Sequence, residues 1–290
     1  MKLRIKPEYL LISPSVIMLF VWMVVPLSMT IYFSSIRYNL LYPGENEFTG
    51  WLNYEFFYTD AAFWPAMLNT LVLVGMVIMI TVIAGILLAL LMMKPFPGRN
   101  VARILLISPF FIMPTVNALL WKNMMLNPVY GVMSWLFEFL GLEPIDFLEV
   151  FPLSSIIAMV SWNWTPFAFL IFVTALLSFD KEQREAAQLD GANAFNMFRF
   201  LYIPHLYRPV AVVIMIQTIF HLSIFAEIYT TTAGGPGYDS TNLAFMIFSQ
   251  ALMQYDVGVA SAGGLVAVVL ANIVAFFLIR MIGNKLMEVK

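Results

Sequence analysis

Six apolar runs limit what this chain can fold into. A helix needs about 20 mostly apolar residues to cross the hydrocarbon layer of a bilayer. Runs of that kind lie at about 10–33, 66–93, 104–126, 151–177, 209–233 and 257–282. The charges inside them are Lys122, Glu227 and, at a border, Arg280. With 61% hydrophobic residues, 26 Phe and 20 Met among 290, the chain exceeds what a soluble core of this size hides. The reading is an all-α polytopic membrane protein of about six transmembrane helices, with residues 1–290 as one membrane domain.

Basic residues set the orientation. Lys2, Arg4 and Lys6 precede the first run, and Lys94, Arg99 and Arg103 separate the second from the third. Lys181, Arg184, Arg199 and Arg208 lie between the fourth and fifth, and Arg280, Lys285 and Lys290 close the chain. All are on one side of the membrane, whereas the opposite loops carry Arg37 and acids such as Glu45, Glu143, Asp146 and Asp239. By the positive-inside rule both termini and the 178–208 segment are cytoplasmic. The first run is too long for a signal peptide and ends without a small-x-small cleavage pattern, so it is read as a retained span.

Several chemistries find no support. There is no cysteine, which removes disulfides and thiolate metal sites. The two histidines, His205 and His221, lack H-E-x-x-H spacing, and no G-x-x-x-x-G-K-[ST] loop is present to hold a nucleotide. Asn163-Trp164-Thr165 matches a glycosylation sequon but lies mid-span, where chance explains it. Nothing in the basic distribution points to nucleic acid.

Polar residues at bilayer depth carry more information, because each is costly unless paired or facing a cavity. Trp162, Asn163 and Trp164 sit near the middle of the fourth run. Gln217 and His221 lie one helical turn apart in the fifth. Glu227, six residues past His221, is rotated by roughly 240° on a continuous helix and falls on another face. These residues suit either hydrogen bonding between helices or a polar cavity with aromatic walls. Sugars and polyols present apolar CH faces to indoles and hydroxyls to amides, so Trp162, Asn163 and Trp164 suit such a solute. A small-residue stretch, Ser261-Ala262-Gly263-Gly264, predicts close approach of two helix backbones in the sixth run.

The stretch EAAQLDGANAFNMFRFLYIPHL, residues 185–206, interrupts this apolar pattern. Ala192, Phe195, Phe198 and Tyr202 recur at helical spacing, predicting a short amphipathic helix. Gly191 predicts a bend between two short helices, and Ile203-Pro204 predicts a break before the fifth span. Such a helix either lies in the headgroups or docks into a partner protein. Its few basic residues and small Glu-Ala-Ala face favour a protein.

Glu185-Ala186-Ala187, Gly191-Ala192, Phe198 and Ile203-Pro204 resemble the EAA loop of ABC-importer permeases. Trp162 to Leu177 resembles the span before that loop in the carbohydrate-uptake, maltose-type family, and Thr232-Ala233-Gly234-Gly235-Pro236 resembles its T-x-G-G-P segment. Trp22 to Pro26, Phe225 to Ile228 and Val266 to Ile273 are similar in wording to sorbitol/mannitol permeases. The resemblance implies a type I importer permease fold in a bacterial inner membrane, with no catalysis in this chain. The implied partners are a second homologous permease, two ATPase subunits that bind ATP and Mg, a periplasmic solute-binding protein and a sugar or polyol. It assigns coupling to Glu185, Ala186, Ala187, Gly191, Ala192, Phe195, Phe198 and Pro204, with Glu185 paired to a basic residue of the ATPase. It assigns solute contacts to Trp162, Asn163, Trp164, His221, Ile224 and Phe225, to which spacing adds Gln217. The rival reading is an ion-coupled secondary transporter in which Glu227 and His221 relay protons.

Overall fold

The computed structural model describes residues 7–44 and 46–287. Lys2, Arg4, Lys6, Glu45 and Lys290, all used above to orient the chain, lie outside the described residues, as does the side chain of Lys285. The described residues are helical, with two isolated bridges, Ile36 to Phe48 and Asn39 to Asp256, as the β-type pairing. Five helices are long and apolar enough to cross a bilayer: Leu11–Ser34, Phe63–Leu91, Pro152–Leu177, Ala194–His221 and Val257–Phe277. They are called spans one, two, four, five and six. Span three is a bent pair, Arg99–Phe111 and Pro114–Met125.

The third run carries Pro109 and Pro114 and bends sharply between its two halves, which meet at 107°. Pro114 excludes its predecessor from the helical region, and Met113 is extended at φ −61°, ψ 144°. The fifth span begins at Ala194, inside the polar insert, and ends at His221 rather than 233. Ile203-Pro204 therefore does not break a helix. A π turn, Phe198–Tyr202, precedes the proline, and the Ile203 N–H donates five residues back to the Phe198 carbonyl. The widened turn absorbs a residue that has no N–H of its own and crowds the carbonyl four positions before it.

The chain divides into two compact units. The first comprises residues 1–63 and 246–270. Span one is apolar all round and none of its central window is buried. Its end is closed by Asn53, whose Nδ2 donates to the carbonyls of Ser34 at 2.9 Å and Ile36 at 2.7 Å. Phe57 is fully buried, and a Cβ on Gly263 would collide with its ring. The small-residue stretch in span six thus admits an aromatic side chain at Gly263, not a second helix backbone as expected.

The second unit comprises residues 64–245 and 271–290. Its core joins Ala89 and Met92 of span two, Phe169, Phe172 and Leu176 of span four, and Leu206 and Val213 of span five. The close helix crossing lies here. A Cβ on Gly85 would stand 2.9 Å from the Ala168 Cβ and 3.1 Å from the Phe169 nitrogen. Contact between small residues replaces the hydrophobic drive that lipid cannot supply.

Candidate translocation pathway and coupling loop

Each break in a span leaves backbone groups that a bilayer cannot solvate. An asparagine serves each one. At the span-three break, Asn163 Nδ2 donates to the carbonyls of Pro109 at 2.6 Å and Ile112 at 3.3 Å. After span five the chain leaves the helix through Leu222 to Phe225 and resumes as the short helix Ala226–Thr231. Asn242 Nδ2 donates to the Ile224 carbonyl there at 2.6 Å, while Asn242 Oδ1 accepts from the Phe245 N–H at 2.8 Å. Lys122 reaches the far end of that short helix, donating to the carbonyls of Thr230 and Thr231 at 3.2 and 3.0 Å. A cation at a helix C-terminus meets the negative end of its dipole, which accounts for a charge inside an apolar run.

Around these breaks the residues read from the sequence separate into two groups. Asn163, Gln217, His221 and Ile224 are buried within the chain. Gln217 Oε1 accepts from the Thr81 hydroxyl of span two at 2.6 Å. His221 is fully buried edge-on to Trp164, with ring centroids 5.0 Å apart, and neither ring nitrogen has a hydrogen-bond partner. Trp162 and Phe225, by contrast, are 42% and 37% exposed. Trp162 and Trp164 do not share a face, because residues two apart on a helix point about 200° apart. Trp162 meets Trp121 edge-on at 6.0 Å, whereas Trp164 packs on Phe110, Phe167, Phe220 and His221.

Glu227 is buried on the short helix beyond the break. Because the helix ends at His221 and a new one starts at Ala226, the rotation of roughly 240° on one continuous helix does not relate the two side chains. A proton relay between the two has no hydrogen-bonded link at the histidine end, since both of its nitrogens are unpartnered.

The segment after this break is closely packed and hydrogen-bonded. Gly234 has φ +88°, and a Cβ there would stand 2.5 Å from Thr241 Oγ1 and 2.6 Å from the Phe245 ring. Thr241 Oγ1 donates to the Gly234 carbonyl at 3.0 Å, and Ser240 Oγ donates to that of Gly235 at 2.9 Å. Asn69 of span two donates to the carbonyls of Tyr238 and Thr241, each at 2.9 Å. Sequence reading identified Gly234-Gly235-Pro236 but missed Asn69, Asn242 and Thr81. Asn69 and Thr81 are polar residues inside the second apolar run with partners far along the chain, and Asn242 lies between the fifth and sixth runs.

At the other end of span five lies the polar insert. Asp180 caps the helix Lys181–Leu189, its carboxylate accepting from the Glu182 N–H at 2.9 Å. Gly191 turns the chain at φ +81°, and Asn193 caps the next helix by accepting from the Asn196 N–H at 2.8 Å. That second helix is span five itself, so Phe195, Phe198 and Pro204 are on its first turns. His205 Nε2 lies 2.8 Å from the Ala175 carbonyl, and Phe179 stands edge-on to both Tyr202 and His205. These contacts tie the loop to the ends of spans four and five. Glu185 and Ala186 face solvent, and Leu189 and Phe195, 90% and 64% exposed, present apolar side chains on either side of the Gly191 turn.

Three comparisons bear on this arrangement. Residues 81–288 match the family described as binding-protein-dependent transport system inner membrane component. The chain is 32% identical to the probable ABC transporter permease protein y4oQ of Sinorhizobium fredii, over 90% of this chain and 85% of that one. It is 29% identical to the trehalose/maltose transport system permease protein MalF of Thermococcus litoralis, over 91% and 90%. In fold it superposes on a chain of the bacterial alginate ABC transporter, solved with an alginate-bound periplasmic protein, with a TM-score of 0.81 over 94% of this chain and 93% of that one at 22% identity. The chain is a multi-pass membrane protein that belongs to the family of binding-protein-dependent transport system inner membrane components, the permease subunits of ABC importers.

Proposed function

We propose that residues 1–290 act as one permease domain, half of the pathway of an ATP-driven importer for a sugar or polyol, with both termini cytoplasmic. The other half is a second, homologous permease. A periplasmic binding protein delivers the solute, and two ATPase subunits hold ATP and Mg, so this chain hydrolyses nothing itself. The observation that carries the reading is the coupling loop. Its helix Lys181–Leu189 stands outside the spans with Leu189 and Phe195 uncovered, and it is anchored to spans four and five through Phe179, Tyr202 and His205. An apolar pair held rigidly in water suits a partner's groove. Glu185, Ala186, Ala187 and Ala192 flank that surface, and Gly191 sets its angle.

Force on this loop is transmitted to the breaks at Ile112 and Ile224, where spans three and five yield most readily. The pathway side is formed by Trp162 and Phe225, whose rings offer a sugar's CH faces a platform, with Trp164 packed on the other side of its helix. Asn163, Gln217, His221 and Ile224 stand behind or between them and are drawn on as the breaks shift. The sugar class is supported by relatives named for trehalose/maltose and for sulfoquinovosyl glycerol transport.

Reconstituted complex with its binding protein tests the reading. Uptake of a sugar or polyol should require ATP, stop with vanadate and survive collapse of the proton gradient. Uptake that persists without ATP and fails with a protonophore returns the assignment to an ion-coupled transporter.

A further inference from the structure

Behind the coupling loop lies a cleft of about 500 Å³ whose basic lining residues, Lys94 and Arg184, the transport reading does not use. One wall is the end of span two, Leu90, with Met93 and Lys94 in the turn just beyond it. The other is the inner side of the loop, Arg184 and Gln188, with Phe198 and Tyr202 of span five. Arg184 and Gln188 lie one helical turn apart and both line the cleft, whereas the exposed Glu185 and Leu189 do not. The cleft shares Ala192 and Phe198 with the residues assigned to coupling, but Glu185 and Leu189, on the outward face offered to the ATPase, do not line it.

Its chemistry is graded. Leu90 and Phe198 belong to helices long and apolar enough to cross a bilayer, and Met93 is an apolar turn residue just past span two. Lys94, Arg184, Gln188 and the Tyr202 phenol supply donors at the open end, and no carboxylate lines the cleft. Lys181, one turn before Arg184 on the same side, adds a third cation nearby. Two basic side chains, an aromatic hydroxyl and an apolar floor at the hydrocarbon boundary match an anionic headgroup joined to acyl chains. Basic recesses between helix ends on the positive side of a membrane protein hold such lipids. A soluble phosphate compound would make no use of the apolar floor.

We propose that this cleft seats the headgroup of an anionic phospholipid from the leaflet on the coupling-loop side, bridging span two to the loop. Lys94 and Arg184 hold the phosphate, Gln188 and Tyr202 donate to it, and the chains pass along Leu90, Met93 and Phe198. A lipid so placed stiffens the loop that carries force from the ATPase.

Native mass spectrometry of the intact transporter complex, titrated with phosphatidylglycerol or phosphatidylcholine, tests this. The expected result is preferential retention of phosphatidylglycerol, weakened roughly thirtyfold in the Lys94→Ala/Arg184→Ala variant, the factor appropriate to two basic contacts. Arg280→Ala, which removes a charge elsewhere, should leave retention unchanged, and Lys94→Arg/Arg184→Lys should preserve it. Because the wild-type preference needs no variant, a failure of the double variant to assemble does not block the test. Equal retention of both lipids, or no loss in an assembled double variant, overturns the proposal. Displacement of the lipid by soluble glycerol phosphate overturns it in favour of a free phosphate ligand. Disulfide trapping of Lys94→Cys onto an ATPase subunit overturns it in favour of a protein occupant.

Discussion

Asn163 donates its side-chain amide to the Pro109 carbonyl at 2.6 Å, across the bend of span three. The residue that sequence reading places on the solute pathway is thus also a splice for an interrupted helix. Its burial, 5% exposed, and its second contact to Ile112 leave little of the amide for a ligand in this conformation. Removing the donor leaves two carbonyls unsolvated in an apolar setting. Asn163→Leu should cost about 1–3 kcal/mol of stability and lower yield of the assembled complex. Trp162→Ala should assemble normally and lose transport. Thermal unfolding of the purified complex beside uptake assays separates the two. Equal stability of both variants removes Asn163 from the role of splice.

The Thr81 hydroxyl donates to Gln217 at 2.6 Å, both side chains being fully buried. Thr81→Val leaves an amide oxygen unpaired, whereas the pair Thr81→Val/Gln217→Leu removes both partners. The double variant should be more stable than the sum of the single losses implies, with a coupling of about 1 kcal/mol. Strict additivity in a double-mutant cycle would show that the contact contributes nothing.

Glu185 is exposed at the outer side of the loop, where a carboxylate contributes only through a partner's charge. Glu185→Lys should abolish uptake and weaken ATPase association while the two permeases still insert. Ligand affinity of the isolated binding protein should not change. Co-purification gives the answer. Retention of full ATPase stoichiometry together with binding-protein-stimulated hydrolysis would dismiss the loop as the coupling element.

Gly191 and Gly234 are both left-handed, at φ +81° and +88°, yet only Gly234 lacks space for a side chain. Gly191→Ala should cost about 1 kcal/mol of backbone strain and leave a working transporter. Gly191→Val should impair coupling, because β-branched residues tolerate that region poorly. Gly234→Ala adds a clash with Thr241 and Phe245 to the same strain and should disrupt the segment after span five. Expression, thermal stability and uptake of the three variants rank the effects. Equal tolerance of alanine at both positions contradicts the geometry.

Cysteines introduced at Glu143 and Asp239 should react with an impermeant reagent from outside whole cells. Cysteine at Arg184 should react only after permeabilisation. Reaction of Arg184→Cys in intact cells would invert the topology inferred from charge.

Local information in the chain was enough for the apolar spans and the turn at Gly191. Hydrocarbon thickness sets a minimum apolar length, and a glycine between polar caps marks a bend, so neither needs distant partners. Even Pro114 announced a disturbance in span three, since its effect is on the adjacent residue. Tertiary structure decided the rest. The carbonyls freed at the 107° bend find their partner in Asn163, more than 50 positions later in the chain. The continuity through Ile203-Pro204 depends on a π turn whose register no apolar pattern reveals. Whether Gln217 and His221 line a cavity or fill a packed interior likewise turned on Thr81 and Trp164, supplied by other spans. In a bilayer an unpaired polar group is costly, so sequence marks where a partner is required. Only the packing of helices determines which partner it finds.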